Sequence, residues 1–148
     1  MSVLFYWKAD NYFLDMKIIK KPFQLNQNSE LIINLKPGEH VWAFTTIKGT
    51  YVLAADLFVT NTQDNPPGHK YGAYCVIGDK QRSRYFNVFQ HIDFEPIVRK
   101  IFPQAPCRTK TGRSFGLGSF FQGTNGVRRI SPSDEQLLVD FSSLLTVI

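Results

Sequence analysis

The chain has too few cysteines and histidines, and no apolar run long enough, for several common functional classes. Its 148 residues include 2 cysteines and 3 histidines. Cys75 and Cys107 show no Cys-x-x-Cys spacing, so we expect no zinc site, no other metal and no cofactor. No stretch approaches the roughly 20 apolar residues of a membrane helix, and residues 7–10 interrupt the first apolar run too early for a signal peptide. We therefore expect a cytoplasmic protein.

Catalytic motifs are also missing. The histidines His40, His69 and His91 are scattered, and there is no Gly-x-Ser-x-Gly motif or Ser-His-Asp spacing. Residues 112–118 are rich in glycine but lack the spacing of a phosphate-binding loop. The sequence therefore predicts a protein that is not an enzyme.

The composition indicates a globular, aromatic-rich and basic chain. Hydrophobic residues make up 43%, charged residues 20% and aromatic residues 14%, with thirteen phenylalanines and a net charge of +5. This length and composition predict a single domain spanning residues 1–148. The aromatic content suits a β-rich core or a surface that stacks on flat ligands.

Hydrophobic patterns and turn residues predict an α+β fold. The predicted strands are 2–7, 40–46, 51–60, 71–79 and 84–88, and the predicted helices are 10–19, 93–102 and 133–145. Lys48 and Gly49 predict a hairpin turn, 61–70 is expected to be a loop, and Ser131 or Ser133 is expected to cap the last helix. Together these elements predict a small mixed or antiparallel barrel-like sheet with two or three flanking helices.

The segment 119–130 concentrates groups that bind a nucleotide. It reads Ser-Phe-Phe-Gln-Gly-Thr-Asn-Gly-Val-Arg-Arg-Ile. Aromatic rings and amides can hold a planar base, and guanidinium groups can hold the phosphates beside it. The segment therefore predicts a binding site next to the last helix.

Two tryptophans extend this hypothesis to an aromatic cage. Trp7 and Trp42 lie near the ends of predicted strands, and Phe44 shares a strand face with Trp42. A core position is the commoner role for such a tryptophan, but a base taken out of a duplex needs rings above and below it. The other predicted members of the base pocket are Asp10, Asn11, Ser119, Phe120, Gln122 and Asn125.

Basic residues cluster beside the aromatic segments. A solvated basic face would look similar, but three such clusters favour contact with a polyanion. The predicted phosphate-binding residues are Arg82, Arg84, Lys110, Arg113, Arg128 and Arg129.

These motifs resemble the EVE domain of the PUA-like superfamily, which includes the YTH and ASCH folds. Residues 5–12 resemble the first strand of that family with its aromatic-Trp pair, and 36–44 are similar to its Pro-Gly-Asp element and the following strand. Residues 119–128 and 131–138 resemble the Phe-Gln-Gly…Val-Arg…Leu-Ser segment of EVE-like modules in modification-dependent restriction systems. The resemblance implies a PUA-like curved β-barrel that accepts a flipped, modified base of DNA or RNA.

The expected function is therefore a non-enzymatic reader of methylated or hydroxymethylated cytosine or of N6-methyladenine. Trp7, Trp42 and Phe44 would stack on the base, and a separate nuclease or ATPase subunit is a possible partner. Two alternatives stay open. One is a module on the same barrel that binds a protein or a small ligand. The other is an accessory domain for RNA modification or processing.

Overall fold

The computed structural model describes residues 1–105 and 116–148. The predicted phosphate ligands Lys110 and Arg113, like Cys107, lie outside the described residues. Within the described ranges the chain forms seven strands and five α-helices. The strands are β1 (Val3–Tyr6), β2 (Gln24–Gln27), β3 (His40–Ile47), β4 (Thr50–Asp64), β5 (Tyr74–Gly78), β6 (Arg84–Tyr85) and β7 (Val127–Arg129). The helices are α1 (Ala9–Ile18), α2 (Glu30–Ile33), α3 (Glu95–Ile101), α4 (Gly116–Phe120) and α5 (Pro132–Ser142).

The strands form one curled, mixed sheet, which confirms the predicted α+β class and barrel-like curvature. Their order is β2-β5-β4-β3-β1-β7, and β6 pairs with β4 beside this path. The pairing of β1 with β3 is parallel, whereas β1 pairs with β7 in antiparallel fashion. The first strand therefore lies inside the sheet, as its continuous apolar sequence predicts.

The hairpin of β3 and β4 is the longest pairing in the sheet. It runs from His40 opposite Phe58 to Ile47 opposite Thr50. Lys48 and Gly49 both have positive φ, 49° and 82°. A two-residue turn with two positive φ angles matches the right-handed twist of the strands it joins, so the predicted hairpin is confirmed.

Two bulges in β4 bend the sheet. The register with β3 passes from Ala43 opposite Ala55 to Phe44 opposite Leu53, which leaves Ala54 as an extra residue. A second shift, at Thr60, interrupts the pairing with β5. An extra residue on one strand kinks it and increases its local twist, so the bulges contribute to the curl of the sheet.

Each face of the sheet packs a separate hydrophobic cluster. On β3, Val41 and Ala43 belong to the cluster that also contains Tyr12 of α1 and Ile32 of α2. The alternate residues of β3 belong to the second cluster, which contains side chains of α3 and α5. Because side chains of a strand alternate between faces, consecutive residues of β3 serve different clusters.

Three predictions about elements are wrong. Two short helices, α2 and α4, were not expected, so the described residues contain five helices rather than two or three. The strand β2 was missed because its sequence, Gln-Leu-Asn-Gln, has only one apolar residue. The strand β4 continues to Asp64 through part of the predicted loop 61–70, since this polar segment pairs with β5.

The helix α5 begins after Ser131, one of the two serines predicted to cap it. Ser131 is the N-cap, and its hydroxyl accepts a hydrogen bond from the Asp134 backbone N–H at 3.1 Å. Pro132 follows in the first turn, where its missing N–H costs nothing. The helix fixes the chain just after β7 and packs its Leu138 into the second cluster.

Candidate functional site

A cavity of about 850 Å³ opens between α1, the segment that follows it, and the strand β2. The end of β5 and the segment 121–126 complete its wall. Its lining combines one indole, several aliphatic side chains, carboxamides and lysines. Clefts that bind small molecules commonly have volumes of about 300–1,000 Å³, so this cavity can admit a nucleotide-sized ligand.

Trp7 forms part of this lining and is held rigidly. Its indole N–H donates to Asp15 Oδ2 at 3.2 Å, and only 3% of the residue is exposed. The predicted stacking of Trp7 on a base is therefore wrong, because the ring is buried in the first cluster. Its ring meets those of Tyr12 and Tyr85 edge to face, with centroids 5.2 and 6.4 Å away. Burial raises the pKa of Asp15, although its hydrogen bond with Trp7 acts in the opposite direction.

The wall formed by α1 and the residues after it is apolar. Leu14, Ile18 and Ile19 all line the cavity. They are also large hydrophobic residues left exposed, with Ile18 at 70%. Exposed apolar side chains at the mouth of a cleft are typical of ligand-binding grooves.

The wall formed by β2 is polar and rich in amides. Gln24, Asn26 and Gln27 all line the cavity. The chain packs tightly here, because a Cβ added to Gly72 would lie 2.6 Å from the carbonyl carbon of Gln27. Gly72 has φ of 134°, which a side chain rarely allows. Glycine at position 72 therefore permits the close approach of this segment to β2.

The charged groups around the cavity are mainly cationic. Lys8, Lys21 and Lys80 line it, and Asp15 is the one carboxylate among the described residues of the lining. Lys21 is partly occupied, because its ammonium donates to the backbone oxygen of Ile148. Lys8 and Lys80 are exposed. This arrangement favours a ligand with negative charge.

Of the predicted base-pocket residues, Trp7 and Asn11 line the cavity. Trp42 and Phe44 do not, and the structure corrects the predicted cage of three rings. Both are fully buried in the second cluster, whereas Trp7 belongs to the first. The indole N–H of Trp42 donates to Glu135 Oε2 at 2.7 Å, so that ring fixes α5 to the sheet.

The reason for the correction is strand parity. In the parallel pairing of β1 and β3, Phe5 lies opposite Ala43 and Tyr6 lies opposite Phe44. Trp7 follows two residues after Phe5 and shares its cluster, on the face that Trp42 and Phe44 do not use. The two indoles therefore lie on opposite faces of the sheet.

The other predicted pocket residues lie outside the lining. Asp10, Ser119, Gln122 and Asn125 are exposed. Phe120 packs against the second cluster. The segment 119–130 does contribute to the wall, but through Phe121, Gly123 and Gly126.

Two predicted phosphate ligands are engaged within the protein. Arg84 Nη2 donates to Asp56 Oδ2 at 2.9 Å, and Asp56 is 2% exposed. Arg128 Nη2 donates to the backbone oxygen of Phe120 at 2.7 Å, and its guanidinium lies 3.5 Å from the centre of that ring. Burial lowers the pKa of Arg128. Both arginines stabilise the fold, and neither is free to hold a phosphate.

Arg82 and Arg129 remain exposed, in keeping with the predicted role. Arg82 lies in the turn after β5, two residues beyond Lys80 of the cavity, with its guanidinium 4.9 Å from the centre of the Phe58 ring. Asp79 organises this turn by accepting hydrogen bonds from the backbone N–H groups of residues 81 and 82, which lower its pKa. Lys80 and Arg82 thus project from one ordered turn.

A second titratable group lies away from the cavity, on the sheet beneath α5. His40 Nδ1 is 2.5 Å from Asp56 Oδ1, and the imidazole stacks on Trp42 with an interplanar angle of 19°. The hydrogen bond with Asp56 raises the pKa of His40, while partial burial acts against it. Asp56 also accepts a hydrogen bond from Arg84 of β6. The cluster therefore links β3, β4 and β6.

Comparisons with known proteins identify no relative of this chain: no model of a protein family matches it, and no curated protein matches it. Among the described residues, no helix is long and apolar enough to cross a membrane. The same residues contain no group of three or more histidine, cysteine or acidic side chains that could hold a metal ion.

Proposed function

We propose that this protein is a non-enzymatic nucleic-acid-binding module that takes one base into the cavity between α1 and β2. The observation that carries the proposal is the composition of that cavity. It places the exposed ring of Tyr71, carboxamides and lysine ammonium groups around one cleft. Aromatic rings stack on any base, and such stacking contributes about 1–3 kcal/mol per base.

The size of the cavity supports this ligand class. A volume of about 850 Å³ lies near the upper end of the range for small-molecule clefts. A base with its sugar fits in such a volume, while the phosphates stay at the open mouth. This arrangement suits single-stranded nucleic acid or a nucleotide rotated out of a duplex.

The charges at the mouth support it independently. Lys8 and Lys80 are exposed beside the cavity, and Arg82 continues from Lys80 along the same turn. Contacts with phosphates release counterions, so they produce affinity that falls as salt rises. Of the two predicted phosphate ligands that remain exposed, Arg82 is two residues from the lining residue Lys80, and Arg129 is three residues from the lining residue Gly126.

Reading of a modified base is the second part of the proposal. A methyl or hydroxymethyl group would lie against the aliphatic side chains of α1, where Leu14 and Ile18 are exposed to solvent. Burying one methyl group provides about 0.8 kcal/mol. The resemblance of residues 5–12 to the first strand of EVE domains supports recognition of a modified base. A separate nuclease or ATPase subunit would then act on the nucleic acid that this protein binds.

Fluorescence anisotropy with labelled single-stranded DNA and RNA oligonucleotides tests the proposal at several salt concentrations. Replacing Lys8 and Lys80 together by alanine is expected to weaken binding and to reduce the salt slope by about 0.7 for each lost phosphate contact. The matched control replaces Lys36 and Lys100, two exposed lysines outside the cavity lining. Equal weakening by both double variants would show binding by general charge and overturn the proposed site.

A second set of oligonucleotides tests the reading of a modification. It carries 5-methylcytosine, 5-hydroxymethylcytosine, N6-methyladenine or 5-methyluracil, each compared with the unmodified base. Tighter binding of one modified strand supports a reader, and equal binding of all removes that part of the proposal. Mononucleotides that bind as tightly as strands would instead indicate a small-ligand module, the alternative that the large cavity favours.

A further inference from the structure

The hydrogen bonds of β2 fix which end of each amide side chain is available to a ligand. Gln27 Oε1 accepts from the Asn28 backbone N–H at 2.7 Å. Because a backbone N–H can only donate, the atom facing it must be the carbonyl oxygen. The other end of the side chain, Nε2, is therefore an N–H₂ donor.

The position of this donor is known. A Cβ added to Gly126 would lie 3.1 Å from Gln27 Nε2, so the amino group sits against Gly126. Both residues line the cavity. No acceptor for Nε2 is found among the described residues, which leaves its N–H groups for solvent or a ligand.

A second amide of the same wall is oriented in the same way. Asn65 Nδ2 donates to the backbone oxygen of Gly72 and to Asn26 Oδ1, both at 2.9 Å. The backbone oxygen can only accept, which identifies Nδ2 of Asn65 as the donor and the atom of Asn26 as oxygen. Asn26 therefore keeps its own N–H₂ group for other partners.

The edge of a base that enters a cleft is the edge opposite its sugar, because the sugar and phosphate remain outside. That edge carries the exocyclic group at position 6 of a purine or position 4 of a pyrimidine. Guanine, uracil and thymine have a carbonyl oxygen there, and guanine adds the acceptor N7 beside it. Adenine and cytosine have an amino group at the same position.

The geometry points to a cavity that selects keto bases, guanine or uracil, over amino bases. This inference rests on the proposed nucleotide function of the same cavity, and it favours a modified keto base such as 5-methyluracil over the cytosine and adenine derivatives expected from the sequence. The Gln27 amino group donates to the exocyclic carbonyl. An amino base would place one donor against another and leave both unpaired.

Isothermal titration calorimetry with GMP, UMP, AMP and CMP tests the inference directly. The four share one phosphate, so the lysines contribute equally and any difference comes from the base. GMP and UMP are expected to bind about tenfold more tightly than AMP and CMP, the effect of one lost hydrogen bond with its donor left unpaired. Equal affinities, or a preference for the amino bases, would overturn the inference.

The variant Gln27→Glu removes the donor and keeps the shape and the bond from Asn28. It is expected to abolish or reverse the ratio of GMP to AMP affinity. Its added charge weakens all four nucleotides, and Gln24→Glu is the matched control because it adds the same charge on the same wall. An unchanged ratio in Gln27→Glu, or an equal change of the ratio in both variants, would contradict the assignment to Gln27.

The failure of this inference is distinct from failure of the proposed function. If the amino nucleotides bind as well as the keto nucleotides and oligonucleotides still bind with the lysine-dependent salt slope, the function stands and the keto preference falls. If no nucleotide and no oligonucleotide binds, the function itself falls. Circular dichroism of each variant verifies that the fold is retained.

Discussion

Gly72 provides the sharpest test of how the wall of the cavity is held in place. A Cβ at this position would lie 2.6 to 2.9 Å from three backbone atoms of Gln27, and φ is 134°. The strained backbone costs an alanine about 1–3 kcal/mol, and overpacking against atoms that cannot rotate away adds about 1–3 kcal/mol. We therefore expect Gly72→Ala to lower the free energy of unfolding by about 4 kcal/mol.

Gly68 separates these two contributions. It also has positive φ, 79°, but a Cβ there would meet nothing within 4 Å. Gly68→Ala thus carries the backbone cost alone, about 2 kcal/mol. Urea unfolding of both variants, followed by tryptophan fluorescence, measures the difference.

An equal loss in the two variants would refute the packing argument, since only Gly72 has a close neighbour. Gly72→Ala is also expected to weaken nucleotide binding, because the new methyl group pushes on the backbone of Gln27. Gly68→Ala is expected to leave binding unchanged. Unaltered binding in a folded Gly72→Ala protein would show that the β2 wall does not depend on this close approach.

Two further predictions concern groups outside the cavity. The raised pKa of His40 in the folded state means that its ion pair with Asp56 adds stability below the unfolded pKa of about 6.5, and that this contribution is lost as the pH rises through the folded pKa. The stability difference between the wild type and His40→Gln should therefore shrink from about pH 5.5 to about pH 8.5 in urea unfolding, and a constant difference would contradict it. Arg128→Ala is expected to lower the free energy of unfolding by about 1–2 kcal/mol, because the contacts of the guanidinium with aromatic rings are lost. The control variant Arg129→Ala removes an exposed neighbour and should change the melting temperature little. Equal melting temperatures of the two variants would count against the structural role of Arg128.

The parts of the fold that the sequence predicts well are those with strong local signals. The hairpin of β3 and β4 follows from alternating apolar residues around Lys48 and Gly49, and both turn residues adopt the expected positive φ. Ser131 and Pro132 likewise define the start of α5. In these places local chemistry and the final structure agree.

The cavity wall is where the sequence was least informative. Residues 24–27 form a strand only because β5 pairs with them, and three of the four are polar amides. Their amide character is the one signal that could have marked them as a binding surface. Pairing with a strand that lies some 50 residues away in sequence is invisible to a local pattern.

The arginines and tryptophans show a different limit. Nothing in the sequence near Arg84 or Arg128 reveals that Asp56 and Phe120 occupy their guanidinium groups. The sequence predicts one cage for both indoles because both lie near the ends of predicted strands, but counting residues from Phe5 and Ala43 assigns them to opposite faces once the parallel register is known. The sequence shows which side chains are cationic or aromatic, but it does not show which residues they contact in the folded protein.

The location of β1 has a consequence for biosynthesis. Its neighbours are β3, from the first third of the chain, and β7, which leaves the ribosome more than a hundred residues after β1 does. During translation the edge of β1 that pairs with β7 stays unpaired until residues 127–129 emerge. Pairing between strands so far apart in sequence is slow. A nascent chain stalled before residue 127 would therefore offer an open strand to other chains, and aggregation of such truncated products is the behaviour this topology predicts.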